Sequence, residues 1–443
     1  MAKANKQVVT EHTATVEALS HDGRGIVRLN GKAVFLDGVL PGEEIVFNLK
    51  KRRRRWDVAE LVEIKQASND RVEPRCEVAS LCGGCSLQHI DSETQINLKQ
   101  QNLIESLKRI GKTEPKEVLP TLKGEPWGYR RKARLGARYV KKKESLLVGF
   151  REKGGRFLTD MQRCEVLHPD VGLRIDSLRQ LIGSMEAYYE IAQIEVAIAD
   201  NATVLVFRNL VDLSEADQTK LIEFAKTNTI HIYLQPAGPD SIHLLWPETS
   251  QLYYELNQFD LKFEFLPTDF TQVNHTINNK MVAQAIDLLE LDKQDRVFDL
   301  FCGLGNFSLP IAQKAAKVLA VEGDKALVER AKHNARLNNI DNVDFHAADL
   351  SQPLLDTPWF SQFIEQGVDK MLLDPPRSGA IEIIKDLAKV PFKRIVYVSC
   401  HPGSLARDTD CLVNEQGYRL VKAGIMDMFP HTAHVEAMAV FER

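Results

Sequence analysis

Residues 296–309 read RVFDLFCGLGNFSL, and this stretch decides the fold class of the carboxyl-terminal part of the chain. RVFDLF is a short apolar run of the kind that forms a strand buried on both faces, and Gly303 and Gly305 follow it. Glycine lets a turn pass close to a bound ligand, where a Cβ would clash. The stretch therefore predicts a buried strand that ends in a ligand-binding turn.

The alternation of strands and helices continues toward the carboxyl terminus. The next strand-like runs are KVLAVE, VDFHAAD, KMLLD and RIVYVSC. Strands that alternate with helices form a parallel sheet covered on both faces. The last two runs, YRLVKAGIMDMF and VEAMAVFE, have no helical segment between them, so the final strand should run antiparallel. Residues 266–443 are therefore predicted to form an α/β, Rossmann-like domain.

The polar residues of this domain favour an adenosyl ligand over a dinucleotide. Ser308 stands where a dinucleotide-binding turn has its third glycine, and the sequence contains no Gly-Lys-Ser/Thr loop for a triphosphate. Glu322 ends the next strand, where it can accept hydrogen bonds from ribose hydroxyls, and Asp349 ends the third strand within reach of an adenine. S-adenosylmethionine is the common ligand of this kind. A turn that serves only helix packing is the alternative.

Five polar residues are expected at one edge of the sheet, because the carboxyl ends of the parallel strands meet there and the antiparallel strand starts there. They are Asp299, Glu322, Asp374, Cys400 and Glu436. Carbon 5 of a uracil becomes nucleophilic when a thiolate adds to carbon 6, and a base must later remove the carbon-5 proton so that the thiol can leave. Cys400 is the candidate nucleophile and Glu436 the candidate base.

Other interpretations of this edge remain open. A single cysteine is often structural, and His431, His434 and Glu436 could bind a metal, although their spacing is not that of a zinc site. DPPR at residues 374–377 is similar to a loop of amino-group methyltransferases, and cytosine carbon-5 methyltransferases place their cysteine in that loop. Here the cysteine follows one strand later, which favours uracil.

The first 265 residues have a different character. Residues 8–66 contain short alternating segments broken by DGRG, NG and LPGEE, which predicts a small antiparallel β-barrel. Residues 67–265 are predicted to form a central α+β domain with a helix at 94–112. Both ranges are locally basic, with six consecutive cations at 50–55 and nine Lys or Arg against one Glu at 123–143. With Trp56, Trp127, Tyr129 and Tyr139 beside them, these clusters suit phosphate contact and base stacking, whereas a solvated face is the alternative.

Cys76, Cys82 and Cys85 form a C-x5-C-x2-C pattern, and Cys164 is the nearest further cysteine. Four thiolates suit zinc or an iron–sulfur cluster, and the three-plus-one spacing favours the cluster because zinc ribbons bring two close pairs. The segment MAKANKQVV has no apolar core of a signal peptide, and no apolar run is long enough to cross a bilayer. We therefore expect a cytoplasmic protein with no membrane partner. A monomer is a separate expectation.

Four linked motifs resemble the RNA (uracil-5)-methyltransferases: DLFCGLGNFSLP, DPPRSGA, VSCHPGSLARD and FPHTAHVEAM, with FTQVN at 270–274. The resemblance covers the chain from about residue 8 and implies methyl transfer from S-adenosylmethionine, with Cys400 as the nucleophile and Glu436 as the base. It implies a cofactor pocket of Gln272, Phe301, Asn306, Glu322 and Asp374, whereas Asp349 matches by position only. It also implies that Cys76, Cys82, Cys85 and Cys164 hold a [4Fe-4S] cluster.

The amino-terminal barrel resembles a TRAM domain, an OB-like RNA-binding module. Within the family, this barrel together with the cluster is typical of the enzyme that methylates 23S ribosomal RNA, so RNA is the expected partner and 23S rRNA the expected substrate. A transfer-RNA (uracil-5) enzyme is the alternative within the family, and a non-catalytic iron–sulfur RNA-binding protein is the alternative from another class. One departure is His401, since the family usually has Asn after the nucleophile, and its role stays open.

Overall fold

The computed structural model describes residues 10–443. Residues 8 and 9 of the predicted barrel and the segment MAKANKQVV lie outside the described residues. The chain divides into two compact units. The first contains the residues up to Leu98 together with Arg151–Phe157 and Phe429–His434, and the second contains Lys99–Phe150, Leu158–Met428 and Val435–Arg443.

The first unit contains the predicted β-barrel sheet. Its six strands are β1 (Glu11–Thr15), β2 (Ala18–Leu19), β3 (Gly25–Leu29), β4 (Lys32–Leu36), β5 (Glu44–Arg52) and β6 (Trp56–Gln66), in the order β1-β5-β6-β4-β3-β2. The run TATVEAL forms two strands rather than one, because Val16 donates its N–H to the Glu43 carbonyl and Glu17 donates to the Ile26 carbonyl. The chain thus passes from one strand partner to another. Val27, Phe47 and other apolar side chains fill the core.

A helix, α1 (Ser92–Arg109), begins in the first unit and ends in the second. It stops three residues before the predicted end at 112, and Lys112 has a left-handed backbone with φ of 51°. The second unit then contains β7 (Glu117–Val118), β8 (Lys132–Val140), β9 (Ser145–Gly149), α2 (Pro169–Gly172), α3 (Ile175–Gly183), β10 (Ile191–Ile198), β11 (Thr203–Asn209), α4 (Glu215–Asn228), β12 (Ile230–Leu234), β13 (His243–Trp246), β14 (Leu252–Leu256) and β15 (Leu261–Phe265). Six of these strands form a sheet in the order β13-β12-β11-β10-β8-β9, and β14 pairs with β15.

The carboxyl-terminal part of the second unit has the predicted α/β architecture. Its elements are α5 (His275–Leu289), β16 (Arg296–Leu300), α6 (Ser308–Ala312), β17 (Lys317–Glu322), α7 (Lys325–Leu337), β18 (Val343–Ala347), α8 (Pro358–Glu365), β19 (Lys370–Leu373), α9 (Ile381–Asp386), β20 (Arg394–Ser399), α10 (Pro402–Asp410), β21 (Arg419–Met426) and β22 (Glu436–Glu442). The first helix after β16 ends at Ala312, and the Ala316 N–H donates to the Asp295 carbonyl instead of to a helical partner.

The strand order is β18-β17-β16-β19-β20-β22-β21-β7. β16 to β20 are parallel, and β22 runs antiparallel to both β20 and β21, as predicted. The carboxyl ends of β16, β17, β19 and β20 therefore meet at the edge where β22 starts. Within residues 10–443, no helix is long and apolar enough to cross a membrane.

Candidate active site

The site lies at the carboxyl edge of the parallel strands in the second unit. Asp299 is the penultimate residue of β16, Glu322 is the last residue of β17, and Asp374 directly follows β19. Cys400 follows β20 and Glu436 opens β22, and these two strands are paired with Ser399 opposite Ala437. The five residues that are far apart in sequence are thus brought to one edge.

The carboxyl groups around Cys400 contribute to a raised pKa of its thiol. Burial, with the negative charges of Glu436 and Asp374, raises the pKa of Cys400 to about 11. Burial and Asp374 likewise raise the pKa of Glu436, which is 4% exposed, to about 8. Arg377 favours the charged form of both groups and so partly opposes these shifts. The site therefore holds a protonated thiol beside a carboxyl group whose pKa lies near mildly alkaline pH.

A second group of carboxyls, those of Asp299, Glu322 and Asp374, lies at the strand ends next to the glycine turn. Asp299 is fully buried and accepts a hydrogen bond from the Ser308 hydroxyl. Burial is the main reason why the pKa of Asp299 rises to about 7, and the nearby Glu322 charge adds to the shift. Burial, then the charges of Asp299 and Glu322, raises the pKa of Asp374 to about 7 as well. These groups lie close enough to influence one another and form one electrostatic cluster.

The turn after β16 has strained backbone geometry. Phe301 has φ of 69°, a left-handed conformation that side chains other than glycine seldom adopt, and Gly303 and Gly305 also have positive φ. The Phe301 and Cys302 N–H groups donate to the Val321 carbonyl at 2.8 and 3.0 Å. The Glu322 carboxylate accepts the Gly303 N–H at 3.0 Å, so the end of β17 fixes the turn. Strain held in this way is typical of a binding site.

Asn306 belongs to a buried polar network that the sequence did not reveal. Its side-chain oxygen accepts from the Tyr254 hydroxyl at 3.0 Å, and its amide nitrogen donates to the Asn278 oxygen at 2.9 Å. Tyr254 and Asn278 also line one small cavity together with Gln272 and Arg131. Tyr254 and Asn278 thus bond to Asn306 and line the same cavity as Gln272. Tyr254 is part of an alternating apolar strand pattern, which carries no functional signal.

Asp349 does not share the buried cluster. It lies two residues beyond β18, is exposed, and accepts hydrogen bonds from the Ser351 N–H at 2.9 Å and the Ser351 hydroxyl at 2.7 Å. Those hydrogen bonds lower the pKa of Asp349. Asp349 therefore lies at the exposed surface, whereas Asp299 is fully buried.

His401 caps the helix that follows the candidate nucleophile. Its Nδ1 accepts the Ser404 N–H at 3.1 Å, and Pro402 occupies the first turn of α10. His401 and Ser399 are also joined by two hydrogen bonds of 3.2 Å between backbone and hydroxyl groups. Asn is a common residue at this helix position, so His401 performs the capping that an Asn side chain would perform.

Three of the four predicted cluster ligands lie in the first unit. Cys82 and Cys85 are buried, and Cys76 is half-buried. The Gly84 N–H lies 3.4 Å from the Cys82 sulfur. Cys164 belongs to the second unit and is buried there. Among residues 10–443, no group of three or more His, Cys, Asp or Glu side chains is arranged to hold a metal ion.

The two basic clusters differ in their surroundings. All six cations of 50–55 are exposed on the end of β5 and the turn to β6. In the second cluster, Lys132 is half-buried and donates to the Asp269 carbonyl at 2.6 Å, and Arg131 pairs with Asp200. Tyr129 is only 8% exposed, so the prediction that its ring stacks on a base is wrong. Lys141, Lys142 and Lys143 remain exposed.

The sheet, the glycine turn after its first strand and the acidic residue ending the second together define a class I, Rossmann-like methyltransferase. The model of the family described as tRNA (Uracil-5-)-methyltransferase matches residues 188–443, and the TRAM domain model matches residues 5–55. The chain belongs to this uracil-5-methyltransferase family and carries an amino-terminal TRAM domain.

Full-length relatives support this membership. The chain is 50% identical over 438 residues to the 23S rRNA (uracil(1939)-C(5))-methyltransferase RlmD of Legionella pneumophila strain Corby, covering 98% of each chain. It is also 50% identical over 437 residues to the protein of the same name from Xanthomonas campestris pv. campestris strain 8004, again covering 98% of each.

A solved structure shares the fold. The tRNA (uracil-54, C5)-methyltransferase of Pyrococcus abyssi, crystallised with S-adenosyl-L-homocysteine, superimposes with a TM-score of 0.75 at 24% identity. The match covers 97% of this chain and 100% of that one. At this identity the likeness extends to the fold alone.

Proposed function

We propose that this protein transfers a methyl group from S-adenosylmethionine to carbon 5 of one uridine in 23S ribosomal RNA. The observation that carries the proposal is the pairing of β20 with β22, which places Cys400 beside Glu436 at the edge that holds the strained glycine turn. The names of the full-length relatives support 23S rRNA, and specifically uridine 1939, as the substrate.

The proposed reaction uses Cys400 and Glu436 in sequence. The Cys400 thiolate adds to carbon 6 of the uracil, forming a carbon–sulfur bond and pushing the electron pair toward carbon 5. S-adenosylmethionine, when bound, would supply the electrophilic methyl group to carbon 5, and its sulfur–methyl bond would break to leave S-adenosylhomocysteine. Glu436 then removes the carbon-5 proton, the double bond between carbons 5 and 6 re-forms, and the carbon–sulfur bond breaks. The Cys400 thiolate is regenerated, and the reaction needs no oxidant or reductant.

The cofactor pocket is proposed to consist of Gln272, Phe301, Asn306, Glu322 and Asp374, with Asp349 at its rim. Glu322 lies at the end of the second strand, where carboxylates bind ribose hydroxyls in Rossmann-like folds. The Tyr254 and Asn278 hydrogen bonds hold Asn306 in one orientation. The left-handed backbone of Phe301 supports a specialised turn at this position.

Cys76, Cys82, Cys85 and Cys164 are proposed as the ligands of a [4Fe-4S] cluster. The proposal is supported by the three-plus-one spacing, the family resemblance, the burial of Cys82 and Cys85 and the N–H contact to the Cys82 sulfur. Against it stands the finding that the described side chains form no assembled metal site. The cluster would give covalent cross-links to a segment with little regular secondary structure.

The domain division 8–66, 67–265 and 266–443 also remains a proposal. The exposed cations at 50–55 support RNA-phosphate binding by the barrel, since each neutralised phosphate strengthens binding and makes it sensitive to salt. A cytoplasmic, monomeric enzyme is also proposed, and the names of the relatives, which act on ribosomal RNA, support the cytoplasmic location.

The test of the proposed chemistry is the variant Cys400→Ala with methyl-labelled S-adenosylmethionine and a 23S rRNA fragment. We expect no turnover while cofactor binding stays near the wild-type value, because the thiol takes part only in the chemistry. With 5-fluorouridine in the fragment, the wild type should form an adduct that survives denaturation, since fluorine at carbon 5 cannot leave as a proton does. Cys411→Ser, which alters a buried cysteine of the same unit away from the sheet edge, is the control. Activity above a few per cent in Cys400→Ala would exclude covalent catalysis by this residue.

A further inference from the structure

Asn306, in the turn between β16 and α6, is bonded to two other elements of the second unit. Its side-chain amide makes hydrogen bonds to the Tyr254 hydroxyl of β14 and to the Asn278 side chain of α5. Asn306 is half-buried, so part of the residue is accessible to a ligand. Earlier in the same turn, the Gly303 N–H donates to the Glu322 carboxylate at 3.0 Å. The turn is therefore held at two points.

These hydrogen bonds determine which atom of the Asn306 amide is left for a ligand. The Asn306 oxygen accepts from the Tyr254 hydroxyl at 3.0 Å and from the Asn278 amide at 3.2 Å, and the Asn306 nitrogen donates to the Asn278 oxygen at 2.9 Å. An amide oxygen has two lone pairs and an amide nitrogen has two N–H groups. In the part of the chain that the structure describes, the Asn306 side chain makes no further hydrogen bond. One N–H donor therefore remains.

The two partners of Asn306 are themselves held in place. Tyr254 is 8% exposed, and its ring stacks on Phe263 with the ring centroids 5.0 Å apart. Asn278 is 3% exposed and lies in the first turn of α5, which Asn274 caps. A rotated Asn306 side chain would leave these buried polar groups without partners, which is unfavourable. The amide is therefore fixed with one N–H as the group available to a ligand.

The charges at this sheet edge indicate which ligand atoms that N–H can serve. S-adenosylmethionine carries a sulfonium, an ammonium group and ribose hydroxyls, which carboxylates can match, and one carboxylate of its own. Glu322 and Asp374 are half-buried carboxyl groups at the same edge. They repel a ligand carboxylate, which needs N–H donors instead. Asn306 supplies such a donor, so the residues present fit both kinds of charge on the cofactor.

We propose that Tyr254 and Asn278 are positioning residues that hold Asn306 as a hydrogen-bond donor to the carboxylate of the cofactor. The inference rests on the proposed cofactor pocket and names the part of the ligand that Asn306 contacts. Because the contact is made to one charged group, the three residues strengthen binding only when that group is present. The turn thus discriminates S-adenosylmethionine from an adenosyl compound that lacks the carboxylate.

The test compares the binding of S-adenosylmethionine with that of its decarboxylated form, which differs only in lacking the carboxylate. Isothermal titration calorimetry in the absence of RNA measures both dissociation constants without turnover. Tyr254→Phe keeps the ring stacking and removes the hydroxyl. We expect it to weaken S-adenosylmethionine binding about fivefold and to leave binding of the decarboxylated ligand at the wild-type value. Equal weakening of both ligands, as a general loss of structure would cause, would overturn the positioning role.

Tyr253→Phe is the matched control on the same strand. The Tyr253 ring lies against the Lys262 ammonium, 3.6 Å from the ring centroid, and the substitution retains that contact. Neither dissociation constant should change in this variant. A loss in Tyr253→Phe as large as that in Tyr254→Phe would show that the bond to Asn306 is not the cause.

Asn306→Asp is expected to affect the two ligands in opposite ways. Asp keeps an oxygen that accepts from Tyr254 and Asn278, but it replaces the N–H donor by a second, negatively charged oxygen. S-adenosylmethionine should bind at least about tenfold more weakly, whereas the decarboxylated form, which carries only positive charge, should bind as well as before or more tightly. Equal weakening of both ligands would show that Asn306 does not contact the carboxylate.

A double variant tests whether Tyr254 acts through Asn306. Tyr254→Phe should cause no further loss of S-adenosylmethionine binding when Asn306→Ala is already present, and additive losses would overturn the positioning role. A wild-type protein that binds neither ligand would exclude the proposed cofactor itself. A wild-type protein that binds both ligands equally well would exclude only the carboxylate contact.

Discussion

The thiol of Cys400 is protonated in the resting site, because burial and the neighbouring carboxyls raise its pKa to about 11. Glu436, with a pKa of about 8, is also largely protonated at pH 7. Two ionised groups side by side would repel each other, so the site is arranged to carry one negative charge at a time.

Glu436→Gln is therefore expected to complete addition and methyl transfer and then to stall. The amide cannot accept the carbon-5 proton, so a protein–RNA complex that already carries the methyl group should accumulate. A methyl-labelled band of slow mobility on a denaturing gel measures it. Glu442→Gln, on the same strand, is the control and should not trap RNA. A Glu436→Gln enzyme that turns over normally would assign the base to another residue, with His431 and His434 the first to examine.

The pH dependence of elimination has a defined direction. Glu436 must be ionised to accept a proton, and its pKa is raised, so the single-turnover elimination rate should increase with pH and level off above about 8. Rapid-quench measurements on a preformed adduct report this step alone. A rate that is flat between pH 6 and pH 9 would show that no group with this pKa controls elimination.

His401→Ala should destabilise the start of α10, because the Ser404 N–H loses its acceptor. The expected loss is about 1 kcal/mol in the free energy of unfolding. His401→Asn should retain nearly all of the stability, since Asn is an equally good cap. Urea denaturation of the three proteins gives the comparison, and equal stability of His401→Ala and the wild type would contradict a capping role.

At the scale of elements, the segment between β6 and α1 depends on few apolar contacts. Leu40, Leu87 and Ile90 form a small core with partly buried neighbours that include Leu19 and Ala433. The Arg71 guanidinium bonds the fully buried Glu43 carboxylate at 2.6 and 2.8 Å, which ties this segment to the barrel. Such a small core gains substantially from metal cross-links.

Cys82→Ser should therefore remove iron and acid-labile sulfide from protein prepared without oxygen and lower its thermal stability. Cys411→Ser, which changes a buried cysteine in the turn after α10, should retain both. Iron analysis, sulfide analysis and the visible absorption of the cluster provide the measurement. One equivalent of zinc and no iron in the anaerobic wild type would show that the cluster assignment is wrong.

The whole molecule combines a TRAM domain, a central sheet and a methyltransferase sheet in one chain. Exposed cations lie on the barrel at 50–55 and on the turn between β8 and β9. In each unit, exposed cations of this kind suit contact with RNA phosphates.

The substrate prediction is tested with unmodified transcripts. The enzyme should methylate a 23S rRNA fragment that contains uridine 1939 and leave a transfer-RNA transcript unmodified, as measured by labelled methyl incorporation and mapping of 5-methyluridine. Replacing that uridine by cytidine in the fragment should abolish incorporation. Preferential methylation of the transfer RNA would favour the alternative within the family.

The sequence by itself determined the α/β fold, the antiparallel last strand and the meeting of Asp299, Glu322, Asp374, Cys400 and Glu436. These follow from local periodicity and from the rule that parallel strands share a carboxyl edge, which need no knowledge of distant contacts. The short helices α8 and α10 were not predicted, because a few turns beginning at a proline resemble a loop in sequence.

Only the tertiary structure decided which polar residues support the site. Tyr254 and Asn278 reach Asn306 across 52 and 28 positions of sequence. Tyr129 shows the reverse case, since its position in a basic stretch suggested exposure and the fold buries it. Hydrogen bonds between distant segments and the burial of a particular side chain depend on how complete elements pack. Neither leaves a periodic pattern in the sequence.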